Sequence, residues 1–225
     1  GDVQGTDSFT NIETVKGSSQ ADTFVASATG NTFSLVAAGQ GNDTFTGGAG
    51  VDTLDLSDGS IVTVEFTSSG AGTVSNSTYG IDSFTDIDVI KLPSSVTGST
   101  VLNADDVTIT GSVSYVDSFD YSEFGSGITV TFTGFRSGTI SGGATVTFTD
   151  IVWISGTAFD DTYISSTSFS NSINMTGNSE AVTFDMASGT ISSTVSGNDS
   201  VTGAFDLHGS AYNDTFIAGS NDDTI

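Results

Sequence analysis

The sequence predicts an all-β protein in which short strands and turns wind as the successive coils of a solenoid. Residues that favour helices are scarce, with only 3 Lys and Arg and a charged fraction of 13%, whereas Thr, Ser, Val, Ile and Phe are abundant. Similar units of turn and strand also recur along the chain. Such recurrence is typical of elongated repeat proteins, in which each unit packs only on its neighbours.

The clearest repeat is Ala38–Asp55, AGQGNDTFTGGAGVDTLD, which divides into the nonapeptides Ala38–Thr46 and Gly47–Asp55. Each nonapeptide is predicted to be a six-residue turn that ends in an aspartate, followed by a three-residue strand. The apolar residue two positions after the aspartate, Phe45 or Leu54, is expected to point to the core, because successive side chains alternate between the two faces of a strand. The core is also expected to contain Phe24 and Phe33, with Phe9, Ile12 and Val15 on the coil before.

This pattern resembles the G-G-x-G-x-D-x-U-x repeat of the RTX, or hemolysin-type, family of calcium-binding proteins. The turn GGAGVD matches it completely, and the turn before it has Ala38 in place of the first glycine. The resemblance implies a right-handed parallel β-solenoid, a β-helix or β-roll, with Ca²⁺ held in Gly-Asp turns. Calcium takes about six to eight oxygen ligands, and glycine lets main-chain carbonyls face the ion. One turn supplies only part of that shell, so an ion requires two stacked turns.

Related turns occur on both sides of the central pair. The sixth positions of the first four turns are Asp22, Asn31, Asp43 and Asp52, which are separated by nine, twelve and nine residues. A coil of two nonapeptides therefore places Asp22 beside Asp43 and Asn31 beside Asp52, with a bulge at Leu35–Ala37. Carried over to all the turns, the resemblance implies metal-site residues at Asp22, Asn31, Gly39, Gly41, Asp43, Gly48, Gly50, Asp52, Asp160, Asp161, Asp214 and Asp223.

Aspartate and asparagine also cap turns without any metal, by accepting hydrogen bonds from backbone N–H groups. The turns of Asp22, Asp161 and Asp214 contain few glycines. For these three residues a cap is as good an interpretation as a calcium ligand. For Asp43 and Asp52 the glycine pattern favours calcium.

A longer repeat surrounds the nonapeptides, with apolar residues three positions apart. A spacing of three could indicate a helix, but the residues between the apolar positions are Thr, Asp, Glu and Val, and the segments are short. We therefore expect each copy to form a strand, a corner and a second strand on one coil. The repeat loses its register after Pro93. The sequence therefore predicts a solenoid over residues 1–92, an irregular or register-shifting segment over 93–110, and a continuing solenoid over 111–225 that ends within a repeat. The copies are Gly5–Gly17, Gly80–Leu92, Ala144–Gly156 and Gly197–Gly209.

Acidic residues dominate the charge of the chain. The 27 Asp and Glu outnumber the 3 Lys and Arg, and the net charge is −24. Such a surface excludes nucleic acids and anionic membranes as partners, and no run is long and apolar enough to insert into a membrane. The aromatic and β-branched residues argue against disorder, so bound divalent cations are expected to offset the repulsion.

The sequence gives little support for catalysis. His208 is the only histidine, and a polysaccharide lyase or epimerase would need basic groups in its groove, of which this chain has few. Paired carboxylates could hydrolyse a glycoside, but their pattern does not differ from that of turn carboxylates. We therefore expect a region that is not an enzyme.

Three classes of function remain. The leading hypothesis is a structural or assembly region of a secreted bacterial cell-surface or matrix protein, such as an adhesin or surface-layer protein, folded and stiffened by calcium. Its expected partners are copies of itself or continuing repeats of the same chain, and cell-surface polysaccharide. A second hypothesis is the calcium-responsive repeat region of an enzyme or toxin exported by type I secretion, the route that the RTX resemblance implies.

The third class is binding to a surface through a face of threonines, as in ice-binding solenoids. Two pairs of alternating threonines favour it, Thr129 with Thr131 and Thr145 with Thr147. These pairs do not repeat coil after coil in the sequence, so this hypothesis ranks below the other two.

Overall fold

The computed structural model describes residues 18–26, 29–34, 41–57, 62–76, 80–93, 100–102, 107–111, 117–143, 145–165 and 171–219. Over these ranges the regular structure is all strand, so the all-β prediction is confirmed. Nothing in them forms a helix with the length and apolar character of a membrane span. The strands are β1 (Thr23–Val25), β2 (Thr32–Ser34), β3 (Thr44–Thr46), β4 (Thr53–Asp55), β5 (Thr63–Ser68), β6 (Ala71–Asn76), β7 (Gly80–Thr85), β8 (Val89–Lys91), β9 (Thr100–Leu102), β10 (Thr108–Thr110), β11 (Ser118–Asp120), β12 (Thr129–Gly134), β13 (Ser137–Ser141), β14 (Val146–Thr149), β15 (Trp153–Ser155), β16 (Thr162–Ser165), β17 (Asn171–Asn174), β18 (Thr183–Asp185), β19 (Thr190–Ser192), β20 (Asn198–Thr202), β21 (Phe205–His208) and β22 (Thr215–Ile217).

The strands form two sheets that the chain visits in alternation. The first sheet has 10 strands in the order β1-β3-β7-β6-β5-β9-β11-β15-β17-β21. The second has 12 strands in the order β2-β4-β8-β10-β14-β13-β12-β16-β20-β19-β18-β22. Successive coils therefore stack along one direction, and each coil contributes to both sheets.

The buried apolar residues of the described ranges form one core between the sheets. Alternation within the short strands turns the central Phe, Leu or Ile inward and leaves Thr or Ser outward. Phe45 and Leu54 are 1% and 0% exposed, as the nonapeptide register predicts. Rings from the two sheets meet directly, because the ring centroids of Phe119 in β11 and Phe148 in β14 are 5.7 Å apart.

The nonapeptide strands pair in parallel and in the register that the sequence predicts. Phe24 in β1 lies opposite Phe45 in β3, and Phe33 in β2 lies opposite Leu54 in β4. Phe24 and Phe33 are partly buried and pack against the core, so their predicted inward orientation is confirmed. The predicted core residues Phe9, Ile12 and Val15, and the bulge at Leu35–Ala37, lie outside the described residues.

Among the described strands, three antiparallel meanders interrupt the parallel pairing, so the prediction of a wholly parallel solenoid is corrected to a mixed one. The meanders are β5–β6–β7 in the first sheet and β12–β13–β14 and β18–β19–β20 in the second. Tight turns with positive φ reverse the chain within one sheet, at Gly70 (61°), Arg136 (55°) and Gly189 (70°). The right-handed coiling stays a prediction.

The longer repeat forms strand, corner and strand, as predicted, in its three described copies. Each copy passes from one sheet to the other, from β7 to β8, from β14 to β15 and from β20 to β21. Positive φ at Asp86 (51°) and Asp150 (58°) turns the chain at the first two corners. The copy at Gly5–Gly17 lies outside the described residues. In the segment 93–110, β9 and β10 each pair with strands on both sides, and the predicted division of the chain there stays a prediction.

Candidate metal centre

The turns that precede neighbouring strands stack closely on one another. Gly41, Gly50 and Gly80 have positive φ of 132°, 112° and 107°, and each stands two residues before an aspartate. A Cβ on Gly41 would lie 2.6 Å from the carbonyl oxygen of Gln20 in the turn of the neighbouring coil. Both the backbone angle and the close approach therefore require glycine at these positions.

Three stacked turns bring Asp22, Asp43 and Asp82 together, which we call the first row. The N–H of Asp22 donates to Oδ1 of Asp43 at 2.9 Å, and the N–H of Asp43 donates to Oδ1 of Asp82 at 2.8 Å. Asp43 and Asp82 are each only 2% exposed. The carboxylates of Asp43 and Asp82 thus link their own coils to the turn of the coil beside them.

The second row consists of Asn31, Asp52 and Asp88. The N–H of Asn31 donates to Oδ1 of Asp52 at 2.7 Å, and the N–H of Asp52 donates to Oδ2 of Asp88 at 2.8 Å. Oδ2 of Asp52 accepts the N–H of Gly48 at 2.8 Å, within the same turn. The sequence prediction that Asp22 stacks on Asp43 and Asn31 on Asp52 is confirmed.

The third row is formed by Asp161 and Asp199. Asp161 accepts the N–H of Ile128 at 2.8 Å, and its own N–H donates to Oδ1 of Asp199 at 2.9 Å. Thr157 closes the turn, since its N–H and hydroxyl donate to the Asp161 carboxylate at 2.7 and 2.8 Å. Asp160 is exposed and accepts the N–H of Asn198 at 2.8 Å, so it lies beside this row rather than inside it.

In the last described turn, the Asp214 carboxylate accepts a main-chain N–H from another coil, as the row carboxylates do. It accepts the N–H of Val182 and the hydroxyl of Ser210, at 2.8 and 2.7 Å. Partial burial raises the pKa of Asp214, but these hydrogen bonds outweigh it and lower the pKa below its ordinary value. The predicted ligands Gly39 and Asp223 lie outside the described residues.

Burial makes several row carboxylates reluctant to ionise. It raises the pKa of Asp43, whose neighbour Asp22 adds a like charge, and it raises the pKa of Asp82 to about 6. Burial also raises the pKa of Asp199 to about 8, and the charges of Asp161 and Asp160 add to the rise. These are carboxylates that have lost water without gaining a positive partner in the described part of the chain.

The residues of the rows fit calcium. Oδ2 of Asp43 and Oδ2 of Asp199 are buried and accept no hydrogen bond, and the hydroxyl of Tyr163 is buried and unpartnered as well. All available donors are oxygens, the ligands that Ca²⁺ prefers. Across the described ranges, no three His, Cys, Asp or Glu side chains converge to hold a metal. A calcium shell at these rows would therefore draw on main-chain carbonyls and water beside the carboxylates.

The sequence predictions missed Asp82, Asp88 and Asp199. Asp82 and Asp199 each follow a glycine with positive φ, Gly80 or Gly197, in the local pattern Gly-x-Asp-Ser followed by an apolar residue. The nonapeptide pattern also requires glycines at the start of the turn, and these two turns lack them. The shorter pattern, GIDSF or GNDSV, is the signal that would have found them.

Without calcium, the fold is expected to lose stability as the pH rises from about 4 to about 8. The raised pKa values of Asp82 and Asp199 mean that the folded state binds more protons than the unfolded state in that window, so rising pH favours unfolding. Asp199→Asn keeps an oxygen for the Asp161 N–H but cannot ionise. We expect it to be more stable than the wild type by about 1–3 kcal/mol at pH 8.

Circular-dichroism melting of calcium-stripped protein at pH 5 and pH 8 checks this prediction. Glu65→Gln removes one exposed charge from the outside of β5 and serves as the control, for which no such gain is expected. A melting temperature that rises from pH 5 to pH 8 would contradict the assignment of raised pKa values to these buried carboxylates.

Comparison with known families matches some of these turns to a known calcium-binding repeat. The sequence profile of the RTX calcium-binding nonapeptide repeat matches in 4 copies, over residues 29–60 and 206–225. The first stretch contains the turns of Asp43 and Asp52, and the second contains the turn of Asp214. No curated protein matches the chain. The other row aspartates lie outside both stretches, and hydrogen bonds between coils place them in the rows; they are Asp22, Asp82, Asp88, Asp161 and Asp199.

Proposed function

This chain carries RTX calcium-binding repeats, and we propose that it is a non-catalytic structural and assembly region of a secreted bacterial cell-surface or matrix protein. RTX nonapeptide repeats bind calcium ions, and they are typical of extracellular proteins exported by type I secretion. In the proposal, calcium folds the coils after export and stiffens them into a rod.

The observation that carries the proposal is the stacking of aspartates between coils. In the first and second rows four carboxylates each accept a main-chain N–H from the neighbouring coil, at 2.7–2.9 Å. With a net charge of −24, stacked carboxylates repel one another unless cations lie between them. Calcium that binds only the stacked form stabilises it by mass action.

The proposed partners are copies of the chain or continuing repeats, joined end to end. Parallel coils expose unpaired N–H and C=O groups only at the two ends of the stack, where a further coil can add to them. The acidic sides of neighbouring rods repel one another, so lateral contacts are expected to need calcium as well.

The same calcium-dependent folding would also suit the repeat region of a secreted enzyme or toxin. An assembly experiment separates that function from a structural one. The purified chain is imaged by electron microscopy with calcium, with chelator, and with magnesium in place of calcium. We expect extended assemblies only when calcium is present. Mg²⁺ is smaller, requires nearly octahedral geometry and gives up its bound water reluctantly, so it should not replace calcium in these turns.

Two outcomes would count against the proposal. Ordered fibres or sheets that persist without divalent ions would contradict the calcium mechanism. A compact monomer that hydrolyses a polysaccharide would overturn the functional class, since it would place chemistry in the chain itself.

A further inference from the structure

The outward face of the second sheet carries an array of uncharged side chains. Seven neighbouring strands contribute to it, in the order β10-β14-β13-β12-β16-β20-β19. Their outward residues are Thr and Ser with one Asn and one Ile, and none is charged or aromatic. We call the outward side of these seven strands the threonine face. In a chain of net charge −24, such a face must be segregated from the acidic residues.

The register of the strands arranges these side chains in rows. Thr108 lies opposite Thr147, Thr147 opposite Thr139, and Thr139 opposite Thr131, so four adjacent strands each place one threonine in the row. Neighbouring strands are about 4.7–4.9 Å apart, which sets the repeat along a row. A second row contains Thr129 opposite Thr162, displaced from the first by two residues along the strand, or about 6.7 Å.

The antiparallel meander β12–β13–β14 brings three threonines of the first row together. Thr131, Thr139 and Thr147 are eight residues apart in the sequence, and β12, β13 and β14 fold them side by side. A parallel coil would instead bring together residues about eighteen apart. The alternating threonines of the sequence therefore form a continuous array in the fold, although they do not recur once per coil.

The hydroxyl groups of the first row are available to a ligand. Across the described ranges, the side chains of Thr108, Thr131, Thr139 and Thr147 make no hydrogen bond of their own. In the neighbouring row, the Ser200 hydroxyl donates to Thr162 Oγ1 at 3.0 Å, so hydroxyls on adjacent strands are within bonding reach. Each threonine also exposes a methyl group beside its hydroxyl.

The array rests on a rigid base. Beneath the first row, Ile109, Phe148, Ile140 and Val130 point into the core and are at most 2% exposed. Each strand of the meander is paired on both sides, which fixes the spacing of the threonines. Ladders of like side chains are among the features that flatten a sheet.

From this arrangement we infer that the threonine face binds the surface of ice. A ligand that engages many equally spaced hydroxyls at once must itself be periodic, uncharged and able to donate and accept hydrogen bonds. An ice lattice has all three properties, and its water can also enclose the methyl groups. The strong negative charge of the rest of the chain keeps its other faces hydrated, so adsorption takes place through this face alone.

Two other occupants fit less well. Sugar rings in a crystalline polysaccharide pack on aromatic side chains, and the outward residues of these strands include none. A second copy of the chain carries the same net charge of −24, which opposes the approach of two large faces.

The test is partition into growing ice. Calcium-saturated protein is frozen slowly from dilute solution, and its concentration in the ice is compared with that in the remaining liquid. We expect enrichment in the ice for the wild type and a loss of about tenfold for Thr139→Lys, which corresponds to about 1.4 kcal/mol of binding. Thr139 is in the middle strand of the meander β12–β13–β14, inside the face, and a lysine there adds charge and bulk where the lattice must approach.

Thr73→Lys is the matched control. Thr73 occupies the same place in the middle strand β6 of the meander in the first sheet, where it faces outward after a glycine, as Thr139 does. This variant is expected to partition as the wild type does. Circular dichroism in the presence of calcium checks that both variants are folded. Weaker partition of a folded Thr139→Lys protein can then be assigned to the threonine face and not to unfolding.

Three results would overturn the inference. The first is exclusion of the folded wild type from ice, and the second is equal enrichment of Thr139→Lys and the wild type. The third is binding to crystalline cellulose or chitin, or dimerisation in sedimentation, that Thr139→Lys removes while partition into ice is absent.

Discussion

Replacing Asp43 and Asp52 together by asparagine is expected to remove about 5 kcal/mol of calcium-dependent stability, since an ion at 100 times its Kd contributes about 2.7 kcal/mol and two sites lose their charge. Asparagine keeps the oxygens that accept the N–H groups of Asp22 and Asn31. The contacts between coils can therefore persist while affinity for calcium falls. The measurement is urea unfolding at saturating calcium and in chelator.

The control for this variant is the pair Glu65→Gln and Glu123→Gln, which removes the same charge from two exposed positions. It is expected to keep the full difference between calcium and chelator. If the aspartate variant also keeps that difference, calcium does not bind at these turns and the rows are only caps.

Phe45→Ala is expected to destabilise the fold by about 3–5 kcal/mol, as large-to-small changes of buried aromatic residues do. Phe45 is 1% exposed, and its ring lies 5.4 Å from that of Phe24 and 5.6 Å from that of Phe33, measured between centroids. The cavity would therefore open where the two sheets meet beneath the calcium turns. Unfolding by urea in saturating calcium gives the free energy.

Phe135→Ala provides the comparison, because Phe135 is 51% exposed at the tip of a meander. Its loss is expected to cost well under the value for Phe45. Equal stability of Phe45→Ala and the wild type would show that the nonapeptide register described above is wrong.

The parts of the fold that the sequence predicts are those that local chemistry determines. A glycine with positive φ, an aspartate two residues later and an apolar residue after a further two positions define a turn and the inward face of its strand. For this reason the positions of Phe45 and Leu54, and the stacking of Asp22 on Asp43, follow from spacing alone.

The meanders could not be predicted in the same way. The strand at Thr63–Ser68 alternates apolar and polar residues as the coil strands do, and that pattern does not say which strand will pair with it. After this strand the chain turns back at Gly70 and forms an antiparallel strand in the same sheet. The alternating pattern does not say whether the chain will turn back in this way or pass a corner to the other sheet. The rows of the threonine face could not be predicted for the same reason, because they exist only once the meander is formed.

The missed aspartates show the limit of a repeat pattern. Asp82 and Asp199 stand in strands that belong to meanders, and their turns have lost the leading glycines. The physical requirement is smaller than the full repeat, since one glycine with positive φ and one carboxylate are enough to continue a row. The first and second rows are therefore built partly, and the third row wholly, from turns that the family pattern does not match.

The central claim is that calcium holds the stacked turns of this chain in their folded arrangement. Far-ultraviolet circular dichroism of the wild-type chain at neutral pH, recorded during thermal melting with saturating calcium and then with chelator, tests it most directly. The account predicts a β spectrum and a cooperative transition with calcium, both lost or shifted to much lower temperature in chelator and restored when calcium is returned. An unchanged spectrum and melting temperature in chelator would contradict it.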